Sequence, residues 1–273
     1  MGQFRNFVGH WLVPPGLTEI LQQIICIFRP DKKSKKSRSE INFYTYLKYG
    51  TSDEIAAFPV KDLRYQGGTS FSINQHHFVR FFEGGKLELE RFYDRHQPKN
   101  VLEEHFIYNM AGTTTTYIPP VGFMPWRLSE EKYLGEFFLN ESHGHQAYGP
   151  VSPKKVSLEA KRLSKTLKSI NKHGYVPELF DGYPAGTLLI NDINSTVTQR
   201  FLISGGQHRV AALSYLGYTE LLVTFLPQAP RVIRISEIET WPGVASGVFS
   251  KELAFNIFNS YFRDENTKLL EGY

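Results

Sequence analysis

The stretch Leu202-Ile203-Ser204-Gly205-Gly206-Gln207-His208-Arg209-Val210-Ala211-Ala212-Leu213 decides how this chain is read. Arg200–Ile203 has the composition of a short strand, and Gln207–Leu216 that of a helix ended by Gly217. Between them stand two glycines. They let backbone N–H groups approach phosphate oxygens without side-chain obstruction. The helix start adds unpaired N–H donors and a partial positive charge. His208 and Arg209 add directional donors, and an arginine grips two phosphate oxygens at once. The pattern therefore describes an anion site, or else a tight strand-to-helix connection whose charges are simply solvated.

Upstream, Ser152-Pro153 opens a helix as N-cap and first residue. Val156, Ala160, Leu163, Leu167 and Ile170 recur at spacings of four and three, which sets one apolar stripe against a core, and Gly174 ends the helix. A strand over Thr187–Ile190 and the polar turn Asn191–Thr196 lead into the strand before the glycines. Downstream, Glu220–Leu226 and Arg231–Ile235 read as strands, and Ser250–Phe262 as a helix with Leu253, Ala254, Ile257, Phe258 and Tyr261 on one face. Residues 41–149 are mixed: Leu87–Gln97 reads as a helix stopped by Pro98, with shorter helices expected at Glu103–Tyr108 and Ser129–Leu139. Four units are expected: 1–40, an amphipathic helix and basic linker; 41–149, a mixed acceptor-binding part; 150–240, the core around the glycine turn; and 241–273, a helix packed on that core.

The order of these motifs resembles the ParB/sulfiredoxin superfamily. Ser169-Ile170-Asn171-Lys172-His173-Gly174-Tyr175-Val176-Pro177 looks like the ParB pattern of a helix ending in Ser-Ile, a glycine, and a proline-led strand. The glycine turn resembles the sulfiredoxin GGCHR-x-AA and ParB GERR-x-RAA turns, and Leu216-Gly217-Tyr218-Thr219-Glu220 completes the order. The resemblance covers residues 150–226. It implies an α+β fold with a small mixed sheet and packed helices. It also implies ATP or another nucleoside triphosphate held with Mg²⁺ by Gly205, Gly206, Gln207, His208 and Arg209. Two departures narrow the function. Gln207 stands where sulfiredoxins carry their nucleophilic cysteine, which excludes sulfinic acid repair, and where ParB proteins carry a Mg-binding glutamate. The segment after Leu226 is also too short for a helix-turn-helix module, so specific DNA binding is disfavoured.

Phosphoryl transfer needs a carboxylate for the metal and a base for the acceptor hydroxyl. Asp181, in Phe180-Asp181-Gly182-Tyr183-Pro184, is the first candidate for either role, against a plain turn-capping carboxylate. His208 is the second catalytic candidate. Glu159 and Arg162, one helical turn apart, read as a surface ion pair, and Asp192 as a hairpin-turn residue. His143-Gly144-His145-Gln146 reads as a loop beside the cleft, with a metal role disfavoured for want of matching ligands; His76-His77 is a weaker signal. Trp126 after Pro125 and Trp241 before Pro242 read as buried packing, against a platform for a sugar or base.

Charge is local. Between Arg29 and Arg38 six Lys and Arg face one acid, Asp31, a net +5 within a chain of +4, so the remainder is close to neutral. That is not the surface of a protein that coats nucleic acid. Just before it, Leu17, Ile20, Leu21, Ile24, Ile25 and Phe28 share one helical face. An apolar face beside clustered cations suits either an anionic membrane surface, through residues 17–38, or a core helix with a solvated linker. The single cysteine, Cys26, excludes an internal disulfide and points to a reducing compartment. These features fit a cytoplasmic kinase-like enzyme, peripheral on the inner face of the membrane. Its acceptor would be a small molecule or saccharide, as in cell-surface polysaccharide assembly. The competing expectation is a nucleotide-gated binding protein without catalysis.

Overall fold

The computed structural model describes residues 55–108, 117–127, 139, 141–177, 182–193, 196–226 and 229–270. The segment 17–38, the helix expected at 129–139 apart from Leu139, and Asp181 lie outside the described residues.

The centre of the molecule is a hairpin of β3 (Ala185–Asn191) and β4 (Thr198–Gly205), antiparallel from Gly186↔Ile203 to Asn191↔Thr198. Both strands run longer than the apolar runs that announce them, because the ladder continues through the polar ends. At Gly186 the register shifts, and a Cβ there would sit 1.9 Å from the Leu202 carbonyl oxygen, so only glycine lets the strands approach. The free edge of β3 is shared by β5 (Glu220–Phe225) at its start and β6 (Val232–Arg234) further along, both parallel to it. β1 (Ile55–Pro59) pairs antiparallel with β5, and β2 (Leu63–Arg64) parallel with β4. The strand order is β1-β5-β3-β4-β2, with β6 beside β3.

Both outer strands thus come from residues 55–64. A flat five-strand array would hold them about 19 Å apart at the usual spacing. The four residue steps from Pro59 to Leu63 reach at most about 14 Å. The sheet therefore curls, bringing its two edges toward each other. The described part of residues 41–149 and the C-terminal half share one sheet and one core.

Period-2 alternation splits that core between two faces. Leu188, Ile190, Phe201, Ile203, Leu221 and Val223 point to the first. It is covered by helices α1 (His77–Gly84), α2 (Lys86–Arg95), α4 (Pro153–His173) and α5 (Gln207–Tyr215). Leu189, Leu202 and Ile233 point to the second, covered by α7 (Lys251–Ser260) and by Trp126 and Trp241, whose rings meet edge to face at 5.5 Å. Two short helices, α3 (Val101–Glu104) and α6 (Pro242–Ala245), complete that side. α3 starts earlier than the helix expected at Glu103–Tyr108. The Asn100 side chain accepts from the Leu102 and Glu103 N–H groups and so nucleates the turn there.

The caps on the long elements follow the sequence. Ser152 Oγ accepts from Lys155 N at 3.2 Å, and α4 buries Val156, Leu163 and Ile170 of its apolar stripe. Ser250 Oγ accepts from Leu253 N at 3.1 Å to start α7. The buried guanidinium of Arg64 ties β2 to the end of α7. It donates to the carbonyls of Tyr261, Arg263, Lys61 and Leu63 at 2.6–3.0 Å. Burial, then the nearby Arg200 charge, lower its pKa to about 10. The described residues contain no helix long and apolar enough to cross a membrane.

Candidate anion site at the glycine turn

β4 ends at Gly205, and α5 begins at Gln207 with Gly206 as its N-cap in the left-handed region (φ 83°, ψ 20°). The first intrahelical bonds are Arg209 N→Gly206 O at 3.0 Å and Val210 N→Gly206 O at 3.1 Å. The N–H groups of Gln207 and His208 precede them and have no acceptor within the helix. A Cβ at Gly206 would lie 2.7 Å from Arg209 Nη2 and 3.1 Å from Cζ, so this guanidinium lies directly over the turn. Arg209 Nη1 donates to the Gly182 carbonyl, holding the residue next to Asp181 at the turn. Gln207 Nε2 donates to Ser204 O at 2.7 Å, and its Oε1 lies 3.4 Å from Gln146 Nε2.

His208 faces the opposite way. The residue is 8% exposed, its ring stacks on Phe78 at 4.7 Å, and its Nε2 lies 2.5 Å from Glu159 Oε2. Glu159 is fully buried. This corrects the expectation of a surface ion pair with Arg162. Lys155, Glu159 and Leu163 follow one another at four-residue steps, so the carboxylate enters the core on the edge of the apolar stripe. Its Oε1 is 2.9 Å from the equally buried Lys155 Nζ and 3.5 Å from Arg162 Nη1. These are Coulombic contacts rather than an aligned hydrogen bond, for Oε1 receives no donor in good geometry. Burial alone would raise the Glu159 carboxyl. The hydrogen bond and charge of His208, with Lys155 behind them, outweigh burial and lower it to about 2. Glu159 is ionised, and three cationic or donor side chains converge on it. A buried ionic cluster therefore fixes the inward side of the first residues of α5.

A layer of neutral histidines lies beside it. His76 Nδ1 accepts from Phe78 N at 3.1 Å, capping α1, and its ring stacks on Phe71. His77 stacks on Phe92 at 4.0 Å with the rings nearly parallel, and its Nε2 donates to Gln146 O at 3.1 Å. His96 stacks on Phe106 at 4.2 Å. On the other side of the sheet His105 Nδ1 donates to Ser260 Oγ, which in turn donates to the Ile257 carbonyl. Burial is the main cause in all four and holds them far below the ordinary imidazole value: His76 and His105 at about 3, His96 at about 4, and His77 well below it.

The remaining candidates have structural partners. Ser152 Oγ, the α4 cap, lies 2.7 Å from His143 Nδ1, and His145 Nδ1 accepts from Ala147 N while its ring stacks on Tyr148. Asp192 is more than a hairpin residue. It receives Arg234 Nε at 2.8 Å and both the N–H and Oγ of Ser236, which pins the β3–β4 turn to the end of β6. These contacts hold its carboxyl below the usual value despite partial burial, which acts the other way.

The structure thus brings Gly205, Gly206, Gln207 and Arg209 together at one mouth, with His208 turned behind them. Lys155, Glu159 and the His76–His77 pair were not singled out by sequence as parts of this assembly. The usable signal was the i−4, i−8 placement of Glu159 and Lys155 on Leu163. Among the described residues, no group of three or more His, Cys, Asp or Glu side chains is placed to hold a metal ion. Compared with protein-family models, with curated proteins and with solved structures, the chain finds no match.

Proposed function

We propose that this chain is a nucleotide-dependent phosphotransferase of ParB/sulfiredoxin-like fold, acting on a small-molecule or saccharide acceptor. The observation that carries the reading is the turn itself. A left-handed glycine starts a nine-residue helix, two N–H groups precede its first internal bond, and a guanidinium lies over them. Phosphate oxygens fit this chemistry: backbone donors, helix dipole and a planar cation address one point. The Lys155–Glu159–His208 cluster supports it by holding α5 from behind, so that the donors keep their aim without rearranging when a ligand arrives.

In this reading the Gln207 and His208 N–H groups and Arg209 hold the triphosphate. Mg²⁺, when bound with it, would offset the charge of the β- and γ-phosphates. The described residues offer no free carboxylate at the turn for that ion, and Asp181, the neighbour of Gly182, is the residue the reading assigns to the metal or to the acceptor's proton. Acceptor recognition falls to residues 41–149.

Calorimetric titration with ATP, CTP, GTP and UTP in Mg²⁺, repeated on Arg209→Ala, tests this. Removing a charge-assisted phosphate contact is expected to cost about 1.5–3 kcal/mol, tenfold or more in affinity. Absence of binding to all four nucleotides sinks the reading. A second reading, a nucleotide-gated binding protein without catalysis, is favoured by Gln207. A neutral amide, occupied by Ser204 O and Gln146, stands where the superfamily's chemistry uses a thiol or a carboxylate. It predicts binding that collapses in Arg209→Ala with no phosphate release or transfer.

A further inference from the structure

A cavity away from the glycine turn lies on the α1–α2 hairpin. It measures about 260 Å³ and is lined by Arg80, Glu88, Arg91, Phe92, Arg95 and Leu270. Three guanidinium groups face it with one carboxylate. Glu88, Arg91 and Arg95 lie on one face of α2 at steps of three and four, and Arg80 meets them from α1.

The charges are arranged rather than scattered. Arg80 Nε donates to Ile73 O at 3.1 Å and its Nη1 to Leu270 O at 3.4 Å, which sets the plane of its fork. Glu88 Oε1 pairs with Arg91 Nη1 at 2.8 Å, while Oε2 stands 4.0 Å from Arg80 Nη1. Arg95 has no hydrogen-bond or ion-pair partner among the described residues, and it stands one helical turn from Arg91, a spacing at which like charges repel. Glu88 therefore offsets one of three cations, and the described lining residues carry a net charge of +2. Phe92 and Leu270 give it an apolar floor.

We propose that this cavity binds a phosphate monoester. Such a group carries a charge of about −1.5 to −2 at neutral pH, which matches the unbalanced cations where a single carboxylate would leave one over. Guanidinium forks suit its oxygens, and the Phe92–Leu270 floor suits the carbon skeleton it is attached to. The volume lies just below the roughly 300–1,000 Å³ of drug-sized pockets, so the ligand is small or only its head enters. The site is independent of the glycine turn and does not rest on the nucleotide reading.

The test uses the full chain and titrates glucose 6-phosphate, inorganic phosphate, glucose, and vesicles of phosphatidylcholine with phosphatidic acid in equal amounts. Glucose 6-phosphate or the phosphatidic acid headgroup should bind, and which of them does so identifies a soluble or a lipid source. Glucose should not bind. Arg95→Ala, at an exposed position without a partner among the described residues, should weaken binding about tenfold. Glu88→Gln, which removes the one negative charge among the described lining residues, should strengthen it. Arg209→Ala should leave it unchanged. No binding of any phosphate ester, binding of glucose equal to that of its phosphate, or affinities indifferent to both Arg95→Ala and Glu88→Gln would each overturn the site. Loss in Arg209→Ala alone would overturn it too, by moving the ligand to the glycine turn.

Discussion

The two faces of the curled sheet are filled by alternate residues of the same strands, yet they are built differently. Leu189, Leu202 and Ile233 meet Trp126, Trp241, Phe258 and the apolar side of α7, with the buried Arg64 guanidinium, Glu104 and the His105–Ser260 pair set among them and held by hydrogen bonds. Leu188, Ile190, Phe201 and Ile203 meet helices that, with their caps, also bury a lysine, a glutamate and the four histidines His76, His77, His96 and His208. Apolar packing alone would stabilise either face more simply, since buried ion pairs seldom repay their desolvation. The Lys155–Glu159–His208 cluster, kept on the face that carries the turn, locates where the molecule gives up stability for a fixed geometry.

The two faces differ most in what the loss of Glu159 costs. Replacing it with alanine strands the buried Lys155 charge, and the expected loss is about 3–5 kcal/mol in urea unfolding. Removing both charges together, as Lys155→Met with Glu159→Leu, should recover most of that loss while nucleotide affinity falls, because His208 has lost its partner. A cost below about 1 kcal/mol for Glu159→Ala would mean that water reaches the cluster. On the second face, Leu253→Ala should cost about 2–5 kcal/mol and leave nucleotide affinity unchanged. If affinity drops there as well, the two faces do not divide the work as described.

A smaller effect per group comes from acid. His76, His77, His96 and His105 are neutral in the fold and must gain a proton on unfolding below about pH 6.5. The unfolded chain then binds more protons, so stability is complete above that pH and falls as pH drops toward 4 and 3. Each histidine contributes up to about 1.4 kcal/mol per pH unit in that window. Glu159, with its carboxyl lowered, acts further down, its contribution lost between about pH 4.5 and 2. Urea midpoints from pH 7 to 4.5 should show the histidine slope, and His76→Phe should reduce it by one proton. An unchanged slope in that variant would place His76 in contact with solvent.

Much of this architecture was legible locally. The Ser152 cap and the four-three stripe define α4, and the glycine turn with its flanking strand and helix stands as read. What escaped was non-local. Strands β1 and β2 are short, and their register with β5 and β4 is set across well over a hundred residues, so no local period announces them. The burial of Lys155 and Glu159 escaped for another reason. A Lys–Glu pair at i, i+4 is the usual mark of a solvated helix face, and only the packing of α5 against α4 turns it inward. His76 and His77 escaped because a histidine that stacks on Phe71 or Phe92 is chemically an aromatic core residue, and sequence alone does not distinguish that from a ligand.

In the proposed function the N–H groups of Gln207 and His208 receive phosphate, and backbone amide NMR reads them directly. On addition of each nucleoside triphosphate with Mg²⁺, the Gln207 and His208 amides should shift and exchange more slowly with solvent for at least one nucleotide. Those of Leu253 and Ala254, on the other face, should stay where they were. Nucleotide binding that leaves Gln207 and His208 untouched would contradict the account and place the phosphates elsewhere on the molecule.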